Sequence, residues 1–141
     1  MKIEIIDPDP GIDVSRISTT AETVFNGENQ HVDYLNVIFL DRESLRSLKK
    51  EYLELDVYTD VMTFNLNEPG ADIEGEIYLA FDQIRENSVQ YKTSLNSELY
   101  RVLIHGCLHL CGYNDKTSGE KSEMTLLENK YLSETENNES I

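Results

Sequence analysis

His105-Gly-Cys-Leu-His109-Leu-Cys-Gly112-Tyr-Asn-Asp115 is the stretch from which this 141-residue chain is best read. Leu99, Val102, Leu103, Ile104, Leu108 and Leu110 cover several faces of one helix, so the pattern predicts a buried central helix running to Cys111, with its histidines opening onto a cleft. The two histidines stand four positions apart, one turn along a single face, a spacing at which two imidazoles can share a metal ion. Gly112 falls where a left-handed residue would end the helix and reverse the chain, carrying Asp115 back toward the same face. Two imidazoles and one carboxylate leave a coordination position open, which is the pattern of catalytic rather than closed structural zinc. His105, His109 and Asp115 are therefore the candidate ligands of one zinc ion.

An isolated HxxxH is also what a pair of core histidines produces, and it is Gly112 and Asp115 in step with it that favour the metal. HxxxHxxGxxD is the ligand skeleton of zinc metalloproteases as well, but there a glutamate general base follows the first histidine, and here that residue is Gly106. At about 100° per residue, Cys107 and Cys111 project away from the histidine face and are poorly placed as ligands of the same ion.

Upstream, Lys2 to Ile6 reads as an opening strand closed by the turn Asp7-Pro-Asp-Pro-Gly11. Ile12 to Phe25 has helical spacing, with Asn26-Gly27 as its stop. Val32 to Leu40 is rich in branched and aromatic residues and too apolar at its end for an edge, so it should be a central strand. Asp41 suits the N-cap of a helix from Arg42 to about Tyr52. Thr59 to Leu66 and Ile73 to Ala80 read as strands joined by a turn-rich loop. The second has Ile73, Ile77 and Leu79 on one face and Glu74, Glu76 and Tyr78 on the other. A helix over Phe81 to Tyr91 precedes the histidine helix, and Thr117-Ser118 can start a last one through Met124, Leu127 and Tyr131. One domain over residues 1–132 is expected, with residues 133–141 as an acidic, disordered tail.

Two cysteines, four apart on one helix, cannot staple a fold, and the start MKIEIIDPDP lacks a secretory signal, so a cytoplasmic protein with free thiols is expected. No apolar run approaches the length of a membrane span. A formal net charge of −15 argues against broad, field-driven attraction to nucleic acid, which needs clustered Lys and Arg. The densest basic cluster is Arg42, Arg46, Lys49 and Lys50 on one flank of their helix, where an RNA backbone could rest or which could be an ordinary solvated face. By residue type alone, Asp60 and Glu76 are candidates for a general base, though strand-end or turn roles suit both.

The histidine stretch resembles HGxLHLxGYDH, the signature of the YbeY family of metal-dependent endoribonucleases in rRNA maturation, with seven of the eleven positions making the match. Tyr52-Leu-Glu-Leu-Asp-Val-Tyr-Thr-Asp-Val-Met-Thr-Phe64 resembles the family stretch ending in PTDVLSFP, and Gly75-Glu-Ile77 stands where the family has GDI. The resemblance spans nearly the whole chain apart from the tail. It implies an α+β fold: a single domain with a mixed sheet of about four strands, helices packed against it, and a central helix carrying HxxxH. It also implies one zinc ion at His105, His109 and Asp115, hydrolysis of phosphodiester bonds in single-strand-type RNA, and rRNA, pre-ribosomal particles or ribosomal proteins as partners. A ribosome-assembly binding factor with a mainly structural metal is the alternative, and a zinc peptidase a more distant one. The chain departs from the family at Asp115, where a third histidine is usual, at Asn114, where the family has Asp, and at Leu53, where the family has an arginine. A carboxylate in place of an imidazole should leave a weaker Lewis acid. Arg46, Lys49 and Lys50 are candidates to replace the missing cation.

Overall fold

The structure is a computed structural model that describes the backbone of residues 1–139 and the side chains of residues 1–136. Nine elements follow in order: β1 (Lys2–Ile6), α1 (Val14–Gly27), β2 (Val32–Leu40), α2 (Arg42–Leu53), β3 (Val61–Asn65), β4 (Ile73–Ala80), α3 (Phe81–Tyr91), α4 (Leu95–Leu110) and α5 (Ser118–Glu139). They form one α+β domain around a mixed four-stranded sheet of order β1-β2-β4-β3. The β1/β2 and β2/β4 pairs are parallel, and β3 is antiparallel to β4.

β2 is central, as its composition predicts. Its residues Val32, Leu35, Val37 and Phe39 are buried on the face where β4 presents Ile73, Ile77 and Leu79, and Val37 lies in register with Ile77. Over this face lie α1 and α4. The opposite face carries a smaller cluster of Leu45, Met62 and Ala80, roofed by α2. α4 is buried on most sides, and it approaches the sheet closely at Gly106. A Cβ built there would lie 3.1 Å from Ile77 Cγ2 and 3.4 Å from Thr63 Cγ2. Gly106 is thus the point where helix backbone meets sheet.

Local chemistry starts the helices. Asp13, Asp41 and Ser94 accept backbone N–H bonds from Arg16, Ser44 and Ser97 at 3.1, 2.7 and 3.0 Å. The start of α2 has a second acceptor, Asp82 Oδ1, 2.9 Å from the Arg42 N–H, so the first turn of α3 ties down the first turn of α2.

The chain beyond Leu132 differs from the expectation of an unstructured tail. α5 continues through Glu139, and residues 140–141 of that expected tail lie outside the described residues. The reason is a buried stripe at helical intervals. Met124, Glu128, Tyr131 and Thr135 are all at most 8% exposed, and Thr135 returns its hydroxyl to the Tyr131 carbonyl at 2.9 Å. Polar residues within that stripe conceal it from a hydrophobicity reading. Among the described residues, no helix is long and apolar enough to cross a membrane.

Candidate metal centre

α4 sets His105 and His109 on one face with ring centroids 4.5 Å apart and their Nε2 atoms 2.9 Å apart. The helix then ends in a double-bonded reversal. The Gly112 N–H donates to the His109 carbonyl at 3.0 Å, the Tyr113 N–H donates to the Leu108 carbonyl at 3.1 Å, and Gly112 takes φ +104°. A side chain would be strained at that φ, which is why glycine stands there. The reversal returns Asp115, whose Oδ2 lies 3.3 Å from His105 Nε2 and 3.5 Å from His109 Nε2. The structure brings together all three residues singled out from the sequence.

The outer ring nitrogens determine what the inner ones can do. His109 Nδ1 lies 2.9 Å from the Tyr113 carbonyl, which can only accept, so Nδ1 carries the proton and Nε2 presents a lone pair. His105 Nδ1 lies 2.7 Å from Glu128 Oε2 and donates to that carboxylate, freeing its Nε2 in the same way. Two bare nitrogens and a carboxylate oxygen then converge with no donor among them, an arrangement that a cation relieves. Ligands around tetrahedral zinc with bonds of about 2.0 Å lie about 3.3 Å apart, and the three separations of 2.9, 3.3 and 3.5 Å match that spacing. The donor set fits a metal ion. Burial alone would lower the pKa of His105, but the hydrogen bond and charge of Glu128, then Asp115 and Asp60, outweigh it and raise the value.

The trio opens into a cleft of about 370 Å³ lined also by Lys49 and Leu53 of α2, by Thr59 and Asp60, and by Val61, Met62 and Thr63 of β3. Of the four basic residues on α2, only Lys49 lines this cleft. Arg42 is paired with Glu86, and Arg46 is held by Asp56 at 2.7 Å and lies over the Tyr58 ring. Of the two candidate bases, Asp60 lines the cleft and burial raises its pKa. Glu76 lies on the α2 side of the sheet, bonded by the Tyr78 hydroxyl at 3.3 Å.

Two contributors escaped the sequence reading, and both act through other residues. Glu128 orients His105 from α5, and its signal was a charged residue inside an otherwise buried stripe. Glu28 accepts from the Tyr113 hydroxyl at 2.6 Å and from the Tyr131 hydroxyl, so the end of α1 steadies the segment whose carbonyl orients His109. Cys107 is buried away from the trio, where burial pushes its thiol pKa up. A glutamate at position 106, which a protease would need, would crowd Ile77 and Thr63.

A family model described as Endoribonuclease YbeY matches residues 2–136. The chain belongs to the YbeY family. Among curated members, the Endoribonuclease YbeY of Cytophaga hutchinsonii is 38% identical over 119 residues, covering 84% of this chain and 83% of that protein. The one from Amoebophilus asiaticus is 39% identical over 125 residues, covering 89% and 82%. The solution structure of TM1509 from Thermotoga maritima superposes with a TM-score of 0.66 at 29% identity, covering 94% of this chain and 88% of that one. Against the YbeY pattern, Leu53 takes the arginine position at the lip of the cleft, half exposed, and Lys49 lines the same cleft one helical turn earlier. Asp115 takes the usual third-histidine position and still reaches both imidazoles.

Proposed function

We propose that this chain is a zinc-dependent endoribonuclease that hydrolyses phosphodiester bonds during rRNA maturation in the cytoplasm, with pre-ribosomal RNA particles as substrate. The observation that carries this reading is the convergence of three lone-pair donors, His105 Nε2, His109 Nε2 and Asp115 Oδ2, at the wall of an open cleft with Lys49 facing them. A zinc ion held by these three residues would supply Lewis acidity toward a phosphoryl oxygen and toward water.

The protein's own groups have separate tasks. Glu128 keeps a proton on His105 Nδ1, and the Tyr113 carbonyl keeps one on His109 Nδ1, so both donors stay aimed and basic. Lys49 offers the ammonium that attracts a phosphate into an otherwise acidic cleft and stabilises the extra negative charge gained at phosphorus. Asp60, poised by burial to hold or release a proton at its carboxyl, is the group at the cleft suited to proton transfer.

A second reading, a ribosome-assembly binding factor with a structural metal, draws on the exposed apolar strip of Tyr52, Leu53, Leu55, Val57 and Tyr58 beside the cleft. One experiment separates the two. Zinc-loaded protein should cut structured rRNA, and His109→Ala should abolish cutting with little loss of folding stability. Ribosome association without cleavage, together with unfolding of His109→Ala, would establish the binding-factor reading instead.

A further inference from the structure

Next to the cleft, sharing Asp60, Val61 and His105 with it, lies a second chamber of about 300 Å³ lined also by Glu98, Arg101, Val102 and Glu128. Its charges do not balance. Three carboxylates face one guanidinium, and Arg101 is already spent on Glu128 Oε1 at 3.1 Å and Asn129 Oδ1 at 2.7 Å. Glu98, in the first turn of α4, is only 7% exposed, lines the chamber, and among the described residues its carboxylate has no hydrogen-bond or ion-pair partner. A carboxylate with so little contact with water and no partner favours a cation or a proton beside it. Burial first, then the charges of Asp60 and Glu128, raise its pKa against the opposing pull of Arg101, which reports the same surplus of negative charge.

We infer that this chamber is a second cation site, one for a hydrated divalent ion of the magnesium or manganese class, held by Glu98 with the charges of Asp60 and Glu128 beside it. The donor chemistry selects the ion. All three acidic groups offer oxygen, which suits hard cations, whereas the trio beside it is rich in imidazole nitrogen and suits zinc. A chamber of about 300 Å³ leaves room for an ion that keeps part of its own water, as magnesium prefers.

Asp60, Val61 and His105 line both spaces, so an ion here lies next to the zinc ligands. In a chain of net charge −15, it would cancel the acidic wall that otherwise repels a phosphodiester entering the cleft. That use rests on the nuclease reading, whereas the cation site does not.

Protein carrying one equivalent of zinc is titrated with Mn²⁺, and free Mn²⁺ is followed by its electron paramagnetic resonance signal. One further Mn²⁺ should bind per chain and broaden most the methyl NMR signals of Val102, which lines this chamber and not the histidine cleft. Glu98→Gln and Asp60→Asn should each weaken that binding about tenfold or more, while zinc content stays at one per chain. His109→Ala, which loses a zinc ligand, should keep an Mn²⁺ site that still depends on Glu98. No Mn²⁺ beyond the zinc equivalent, broadening centred away from Val102, or unchanged affinity in Glu98→Gln would each overturn the inference. Absence of RNA cleavage with this Mn²⁺ pattern intact would sink the nuclease reading alone.

Discussion

Replacing Glu128 with glutamine should weaken zinc binding about 10- to 100-fold, or about 1.4–2.7 kcal/mol, in a protein that still folds. Glu128 is 8% exposed and uses both oxygens, Oε2 toward His105 Nδ1 at 2.7 Å and Oε1 toward Arg101 Nη1 at 3.1 Å. Glutamine has nearly the same shape but one acceptor oxygen. If that oxygen serves Arg101, the amide N–H₂ faces His105 Nδ1, which must then become the acceptor and move its proton to Nε2. This blocks the lone pair aimed at the metal and gives the larger loss. If the oxygen serves His105, the bond survives without its charge and at roughly half its strength, giving the smaller loss. The assay is competition for zinc against a chromophoric chelator at neutral pH, with chemical denaturation of both metal-free proteins as a control. The Arg101–Glu128 pair is about a third exposed at the arginine end, so losing it should cost about 1 kcal/mol of stability. Arg101→Met removes the same ion pair and spares the His105 bond, so its zinc affinity should stay within about twofold of wild type. Equal zinc affinity in wild type and Glu128→Gln, or an equal loss in Arg101→Met, would refute the assignment of Glu128 as the residue that positions His105.

Asp115→Ala should lower zinc affinity markedly and Asp115→His should preserve or raise it, and unchanged zinc content in the alanine variant would remove Asp115 from the ligand set. Lys49→Met should weaken RNA binding and make its dependence on salt about one charge shallower, whereas Lys50→Met, outside the cleft lining, should change the salt slope less; equal slopes in the two variants would leave Lys49 without a special place. Gly106→Glu should cost about 3 kcal/mol or more by denaturant titration and confer no peptidase activity, because the new side chain would meet Ile77 and Thr63. The backbone N–H of Ser44 is the largest of the effects that hold the Asp41 carboxyl below its ordinary value of 3.8. The stability this contributes is present above the unfolded-state pKa and fades as pH falls through the lower folded value. Asp41→Asn should therefore flatten the acid side of a plot of melting temperature against pH while keeping the helix cap.

How far the sequence reaches can be judged element by element. α2 announces its start through Asp41, because a cap bond spans only three residues and needs nothing from elsewhere in the chain. The reversal after α4 is equally local. Once Gly112 permits the left-handed turn, the bonds to Leu108 and His109 follow, and the approach of Asp115 to the histidines was legible for that reason. α5 was read short at Leu132 because Glu128 and Thr135 fill buried positions with polar atoms, and only their partners, Arg101, His105 and the Tyr131 carbonyl, make those positions acceptable. Hydrophobic periodicity cannot register a buried polar residue whose partner lies in another helix.

The surroundings of the candidate site belong to a different level. Which of the α2 cations meets the cleft depends on how α2 lies against the sheet: Lys49 lines the opening, while Arg42 and Arg46 are bound to acidic neighbours on α3 and in the loop after α2. Asp60 and Glu76 look equivalent as residue types, and strand pairing separates them by placing one at the cleft and the other under α2.

By itself, then, the amino-acid order determined what depends on neighbours within about two helical turns: the caps, the histidine spacing, the glycine reversal and the apolar stretch that makes β2 central. The strand order, the meeting of Glu128 with His105 across 23 positions, and the pooling of Asp60 and Glu98 in one chamber were decided by tertiary packing. These depend on which apolar faces bury one another, a choice made by the whole chain at once.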